Sequence, residues 1–299
     1  MKRLLVTLSF LSLFLVSCDR LGDHVHIVFG TDLVPSEQME ESRLLATSVM
    51  LTILETSNDG RDIHYSYYFE EAGENMPFRV CLPCSWNGKD KLPLILFLHG
   101  GWNDENSYLD QNDRQLIRLA DDNGFILVSP LGAHAAYGNN LVLPAEFGRD
   151  DEASEILSSI SFERIAAQRI SEKDVINVLE IVLTNYPVDK KRMFLAGHSM
   201  GAGGTWYLGA KYPGYWKALA PMSGPFVLEE GYPWKKIKSK PLFVSEGTLA
   251  MASLKSSREL KDFLEEGGFN VKYMEVEADH PNMVPKTLPS VFDFFNQYK

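Results

Sequence analysis

The feature that most constrains the fold is a regular alternation of short apolar runs with amphipathic segments in the second part of the chain. "LPLILFLHG" (92–100) and "FILVSP" (125–130) are continuous apolar runs, as expected for strands buried on both faces of a sheet. "SEKDVINVLEIVLTNYP" (171–187) has helical periodicity, and Ser171 with Asp174 matches a capping box. Such alternation predicts an α/β fold, a mostly parallel, doubly wound sheet with helices on both faces.

Two segments differ from this pattern. Strand-like runs at "SVMLTILET" (48–56), "DIHYSYYF" (62–69) and "FRVCLP" (78–83) predict an antiparallel N-terminal entry to the sheet. Residues 132–170 separate a strand from the next clear helix. Insertions of that length are often lids or binding loops, so we predict a lid insertion there, with a solvated linker helix as the alternative.

The first residues resemble an export signal. Lys2 and Arg3 precede "LLVTLSFLSLFLV" (4–16), an apolar run too short to be taken first as a transmembrane helix. It ends in "LVSC", which resembles the bacterial lipobox, in which the cysteine is lipidated after cleavage. We therefore predict lipidation of Cys18, with an ordinary secretory signal and a chance cysteine as the alternative.

These features predict three parts of the chain. A lipoprotein signal peptide covers 1–17, a tether with a helix in "PSEQMEESRLLA" covers 18–45, and one α/β domain covers 46–299. The lipid anchor would hold the mature protein at a membrane surface of the bacterial cell envelope, in the periplasm or on the cell surface, without spanning the bilayer.

Composition and cysteine usage exclude some classes of partner. The formal charge is −11, which repels phosphate backbones and gives no support to nucleic-acid binding. The sequence has no His-x-x-x-His set and no Cys/His zinc spacing, so we predict no metal and no cofactor. Cys81 and Cys84 form either a structural disulfide or two free thiols; a redox pair would be expected at the start of a helix, whereas these follow a strand-like run.

The strongest catalytic signal is "GHSMG", which lies between the strand-like "RMFLAGHS" and the helix-like "MGAGGTWYLGAKYP". Gly-x-Ser-x-Gly at a strand–helix junction is typical of a nucleophile elbow. Gly197 and Gly201 fit the tight turn because a Cβ at either place would collide across it. We predict that Ser199 is a nucleophile; an incidental serine in a glycine-rich turn is the alternative.

A serine nucleophile needs oxyanion donors, and "FLHGG" (97–101) ends the strand that should lie at the same sheet edge. The predicted donors are the N–H of Met200 and the N–H of Gly101 or Trp102. We expect His99 to hold the loop rather than to act as a base.

Residues 186–224, with "LAGHSMGAGGTWYLGAKYP" at their centre, together with "LPLILFLHGG" (92–101), resemble the α/β-hydrolase superfamily. Within it, residues from about 77 to 295 resemble the secreted esterase and predicted peptidase group related to dienelactone hydrolases, feruloyl esterases and polyhydroxybutyrate depolymerases. The resemblance implies the chain order serine, acid, histidine. His280 in "EVEADHPN" is the implied base.

The acid that the resemblance implies is missing. The group places an aspartate in a Gly-Thr-x-Asp pattern, and the matching stretch "SEGTLAMAS" has Ala250 at that position. Loss of a triad acid can cost about 10⁴-fold in turnover. A substitute carboxylate would be Glu246, the nearest in sequence and our candidate acid, or Glu229 or Glu230. Asp279, next to His280, is not expected to serve.

Two other hypotheses remain open: a Ser–His dyad oriented by a backbone carbonyl or water, or a degenerate site that binds rather than cleaves. The sequence thus predicts a lipid-anchored serine hydrolase of a small-molecule or polysaccharide-linked carboxylic ester, with peptide cleavage also considered. The alternative is a lipoprotein with a hydrolase scaffold and a binding or accessory role. Trp102, Tyr137 and Trp206 are candidates to line the substrate pocket, with packing in the core as the equal alternative for such aromatic residues.

Overall fold

The computed structural model describes residues 31, 33–132, 137–138, 162–224 and 232–299. The predicted signal peptide with Cys18, most of the predicted tether before residue 33, most of the predicted lid insertion, and both Glu229 and Glu230 lie outside the described residues. Within the described part of the chain, no helix is long and apolar enough to cross a membrane.

One nine-stranded sheet organises the molecule, with the strand order β1-β2-β3-β5-β4-β6-β7-β8-β9. The first four strands in this order pair antiparallel, and every neighbouring pair from β5 to β9 is parallel. The predicted antiparallel entry to a mostly parallel sheet is therefore confirmed. The strands are β1 Leu51–Thr56, β2 Asp62–Phe69, β3 Glu74–Cys81, β4 Leu92–Leu98, β5 Ile126–Pro130, β6 Val188–His198, β7 Ala218–Met222, β8 Leu242–Gly247 and β9 Val271–Val276.

Helices cover both faces of this sheet, which confirms the doubly wound prediction. Side chains of α3, α4 and α6 join the core on one face, and side chains of α2 and α7 join the core on the other. The described helices are α1 Pro35–Ser48, α2 Ser107–Asp122, α3 Phe162–Asn185, α4 Met200–Lys211, α5 Trp234–Ile237, α6 Met251–Glu266 and α7 Met283–Asn296.

The helix predicted to begin at Ser171 begins earlier, so the capping-box prediction is wrong. α3 already includes residue 162, because no glycine or proline interrupts the residues before Ser171. The Ser171 hydroxyl instead donates to the carbonyl of Gly132. Asp174 accepts hydrogen bonds from the Tyr67 hydroxyl at 2.7 Å and the Gly132 N–H at 2.8 Å. Ser171 and Asp174 therefore fix the backbone of Gly132, in the segment that follows β5.

Part of the predicted tether forms a helix that lies against the domain. α1 begins with a proline in its first turn, a position where the missing N–H is no loss. Gln38, Ser42 and Ala46 recur at intervals of four, so they share one helix face, and all three are buried. The Ser42 hydroxyl donates to Oδ1 of Asn177 on α3 at 2.6 Å.

The two cysteines outside the signal region are free thiols in the structure. Cys81 is buried in β3 and its thiol donates to Oδ1 of Asp62 at 3.3 Å, whereas Cys84 is exposed. Burial is the largest of the causes that raise the pKa of the Cys81 thiol, so this thiol stays protonated.

Candidate active site

The turn between β6 and α4 has the backbone that the glycine pattern predicts. Ser199 lies at φ 58° and ψ −117°, in a left-handed region that costs energy for a residue with a side chain. Its N–H donates to the Met222 carbonyl at 3.0 Å, which fixes the turn to the end of β7. A Cβ on Gly197 would collide with the Gly201 carbonyl, and one on Gly201 would collide with the Leu98 carbonyl. Only glycine fits either position.

The loop after β4 lies beside this serine. Leu98 pairs with Gly197 in the parallel sheet, and a Cβ built on Gly100 would lie 3.4 Å from the Ser199 Cβ. The N–H of Met200 is the first of α4 and has no partner within the helix. Gly101 lies in the loop between β4 and α2 and is partly exposed. The predicted oxyanion donors therefore lie on the two segments that meet at Ser199.

His99 holds this loop in place. The ring is buried, with Nδ1 2.8 Å from the Gly100 carbonyl and Nε2 2.8 Å from the Leu131 carbonyl. Both ring nitrogens therefore face backbone oxygens, and the ring connects the loop after β4 to the end of β5. This agrees with the expectation that His99 is structural.

His280 lies between β9 and α7 at the same edge of the sheet. Its ring packs against that of His198, with the ring centroids 4.5 Å apart. Its Nδ1 is 2.7 Å from the Ser223 hydroxyl. Burial lowers the pKa of His280, and the neighbouring Asp279 opposes that change. Asp279 itself is exposed and accepts hydrogen bonds from Asn282, so it is turned to the start of α7 rather than to the imidazole.

Glu246 faces the site from the end of β8. Its side chain is fully buried, and its Oε1 accepts hydrogen bonds from the Ser223 hydroxyl at 2.6 Å and from the Gly247 N–H at 3.0 Å. Burial raises the pKa of Glu246, while the hydrogen bond from Ser223 lowers it. The carboxylate thus meets His280 only through a serine. Ala250, where the resemblance implies an aspartate, lies at the N-cap of α6.

Ser223 was not selected by the sequence analysis. It follows β7, its backbone N–H donates to the Ser245 carbonyl at 2.8 Å, and its φ of 50° is also left-handed. The available signal was its place in "APMSG", immediately after a strand whose carboxyl end lies at the edge that carries Ser199.

A second link joins the two loops that flank Ser199. The Tyr108 hydroxyl lies 2.6 Å from Nδ1 of His198, and Nε2 of His198 lies 2.9 Å from the His280 carbonyl. Burial is the main cause that lowers the pKa of His198 to about 3, so the ring is neutral. Because a carbonyl only accepts, Nε2 carries the proton and Tyr108 donates to Nδ1. A Cβ built on Gly100 would lie 2.7 Å from the same hydroxyl, so the loop after β4 packs against Tyr108.

Of the three aromatic residues considered for the substrate pocket, two are buried and one is exposed. Tyr137 is fully buried and its hydroxyl donates to the His99 carbonyl at 2.9 Å, and Trp206 is also buried. Both belong to the core, which is one of the two alternatives that the sequence left open for them. Trp102 is fully exposed beside Gly101, at φ 60°. No group of three or more potential metal ligands occurs among the residues that the structure describes.

Comparison with protein families gives one match that covers more than half of the chain. The model of the family described as "Putative esterase" matches residues 70–268. Among curated proteins, the bifunctional acetylxylan esterase/xylanase XynS20E of Neocallimastix patriciarum is 28% identical over 181 residues. That alignment covers 60% of this chain and 22% of the relative, so the chain spans about a fifth of that protein's length.

Solved structures share the fold. The fluorophosphonate-binding serine hydrolase FphF of Staphylococcus aureus superposes with a TM-score of 0.58 at 18% identity, over 79% of this chain and 98% of that chain. The ferulic acid esterase AmCE1/Fae1A of Anaeromyces mucronatus, in complex with ferulic acid, has a TM-score of 0.56 at 17% identity, over 79% and 90% of the two chains. At these identities the likeness concerns the α/β-hydrolase fold.

Proposed function

The chain belongs to the esterase family and is an esterase or related hydrolase, and on this basis we propose that it cleaves carboxylic esters through Ser199 and His280. The observation that carries the proposal is the backbone of Ser199, held at φ 58° and ψ −117° between a strand and a helix. A strained, partly exposed serine at that junction is the geometry of an activated nucleophile.

In the proposed reaction, Ser199 Oγ attacks the ester carbonyl carbon while His280 takes its proton on Nε2. The backbone N–H of Met200 and that of Gly101 or Trp102 donate to the oxyanion of the tetrahedral intermediate, and one such donor is typically worth about 3 kcal/mol. His280 then protonates the leaving alcohol. Water, deprotonated by the same imidazole, attacks the acyl-enzyme; the bond to Ser199 Oγ then breaks, the imidazolium returns the proton to Oγ, and the acid is released.

Glu246 is the proposed acid of this site. It is the carboxylate whose charge reaches the imidazole of His280 through a single intervening hydroxyl. An anion at that place favours the imidazolium that forms during each proton transfer. Glu246 is connected to His280 through Ser223, and the chain matches an esterase family. The alternative, a degenerate protein that binds its ligand without cleaving it, therefore has no support.

For the substrate, we propose an ester linked to a polysaccharide or a related small-molecule ester. A curated relative is a bifunctional acetylxylan esterase/xylanase, and one structural neighbour is a ferulic acid esterase in complex with ferulic acid. Trp102 supports this class because a fully exposed indole beside the proposed oxyanion loop offers a flat surface on which a sugar or phenolic ring can stack.

The location of the protein is a separate proposal. We propose that lipidated Cys18 anchors the mature chain to a membrane surface of the bacterial cell envelope, from the lipobox-like "LVSC". Cys18→Ser should move the protein from the membrane fraction to the soluble fraction. Retention of the variant in membranes would refute the anchor.

The enzyme proposal is tested with purified protein, a fluorophosphonate probe and a short-chain nitrophenyl ester. Wild type should label and turn over the ester, whereas Ser199→Ala should do neither and His280→Ala should lose nearly all turnover. The matched control is Ser245→Ala, since Ser245 is a buried serine at the same sheet edge whose hydroxyl has no hydrogen-bond partner among the described residues. A wild type that behaves like Ser199→Ala would refute the proposal.

A further inference from the structure

We propose that Ser223 is a positioning residue that connects Glu246 to His280 and so replaces the direct acid that Ala250 cannot supply. The inference rests on the proposed function. Three adjacent parallel strands contribute to this link: Ser223 follows β7, Glu246 ends β8, and His280 follows β9.

The hydrogen atoms of this link have one consistent arrangement. The Glu246 carboxylate only accepts, so the single proton of the Ser223 hydroxyl points to Oε1 at 2.6 Å. The serine oxygen is then free to accept at 2.7 Å from Nδ1–H of His280. With its proton on Nδ1, the neutral imidazole has its lone pair on Nε2, the tautomer that a general base requires.

The backbone holds Ser223 in this place. Its N–H donates to the Ser245 carbonyl, and its residue is buried. Its φ of 50° is uncommon for a serine and is kept only where surrounding contacts enforce it. The hydroxyl is therefore fixed between its two partners rather than free to rotate with solvent.

No proton needs to reach Glu246 during turnover. When His280 takes the Ser199 proton on Nε2, the positive charge of the imidazolium strengthens the Nδ1–H bond to Ser223. The Ser223 hydroxyl in turn strengthens its bond to the carboxylate, because hydrogen bonds in a chain polarise one another. The charge of Glu246 thus acts on His280 through the Ser223 hydroxyl, and the hydrogen bond from Nδ1–H to Ser223 orients the imidazole ring.

The test compares Ser223→Ala, Glu246→Gln and the double variant, with Ser245→Ala as the matched control. Each single variant should lower kcat by about 10²-fold or more with little change in KM, toward the roughly 10⁴-fold loss seen when a triad acid is neutralised. The double variant should be no slower than the slower single variant, because Glu246 acts on His280 only through Ser223. Losses that multiply would overturn the proposal.

The pH profile separates this role from a structural one. Removing the anion or the bridge disfavours the imidazolium, so the acid limb of kcat/KM should move to lower pH in both single variants and stay in place in Ser245→Ala. A limb that does not move in Ser223→Ala would overturn the proposal. If that variant unfolds, Ser223→Gly provides the same test, since glycine accepts the left-handed backbone.

The outcomes also distinguish this inference from the proposed function. Wild-type turnover that is lost in Ser199→Ala supports the proposed function by itself. If that result is obtained while Ser223→Ala keeps the full kcat, the link is refuted and the esterase proposal stands. If Ser199→Ala retains full turnover, both are refuted.

Discussion

Replacement of Tyr108 by phenylalanine should uncouple the two loops that flank Ser199. The hydroxyl of Tyr108 donates to His198 and lies against Gly100 of the loop after β4, and His198 in turn donates to the His280 carbonyl. The substitution removes one oxygen atom and keeps the ring, which packs 5.3 Å from that of Phe97. Any effect therefore reports on the hydrogen bonds.

The structure gives the size of the expected effect. Without the hydroxyl, Nδ1 of His198 becomes a buried acceptor without a donor, which costs about 1–3 kcal/mol of unfolding free energy. For a domain of this size, that corresponds to a fall in Tm of roughly 2–12 °C. A displacement of a catalytic group by 1 Å can cost about 10²-fold in rate, so we expect kcat to fall by about 10- to 100-fold.

The assay is nitrophenyl ester hydrolysis together with thermal unfolding. The matched control is Tyr186→Phe, whose hydroxyl lies 2.8 Å from that of Tyr65, near the amino end of β6 and away from Ser199. The control should lose some stability and keep its kcat. If Tyr108→Phe loses stability but keeps the wild-type kcat, then the link does not position His280, and the reasoning is wrong.

Three further predictions follow from single contacts. Ala250→Asp should leave the wild-type kcat nearly unchanged, because Glu246 already supplies the anion, but should restore part of the ester turnover lost in Glu246→Gln. Burial raises the pKa of Asp174 from 3.8 to about 7, so the stability that this group contributes is fully present below about pH 4 and is lost as the pH rises through about 7. Urea unfolding across that range should show a decline of up to about 4 kcal/mol, and Asp174→Asn should flatten it; an equally steep decline in the variant would refute the assignment. Gly201→Ala should abolish fluorophosphonate labelling, because its Cβ would collide with the Leu98 carbonyl, and an alanine variant that labels normally would contradict that geometry.

The sheet could be predicted from the sequence because its signals are local. Continuous apolar runs such as residues 92–98 identify buried strands by themselves, and Gly197 and Gly201 identify the turn at Ser199 by what a side chain would strike. Helix starts were less accurate. α3 already includes residue 162, whereas the capping-box pattern predicted a start at Ser171.

The proposed acid, Glu246, could not be predicted with the same certainty because its role depends on contacts between strands. Sequence spacing placed Glu246 near the site, but a strand residue can face either side of the sheet, and only the packing shows that its carboxylate reaches Ser223. A small residue after β7 carries no catalytic signal of its own. Its role becomes visible only when β7, β8 and β9 lie side by side.

The same sheet edge also concentrates conformational cost. Ser199 and Ser223 both have left-handed backbones, and Glu246 is a buried carboxyl group whose Oε2 has no hydrogen-bond partner among the described residues. Such features typically cost about 1–3 kcal/mol each. A selection for heat resistance alone should therefore favour glycine at the two serines and an apolar residue at Glu246. Thermostable variants chosen without an activity screen would then accumulate changes at the nucleophile and at the two residues that orient its base.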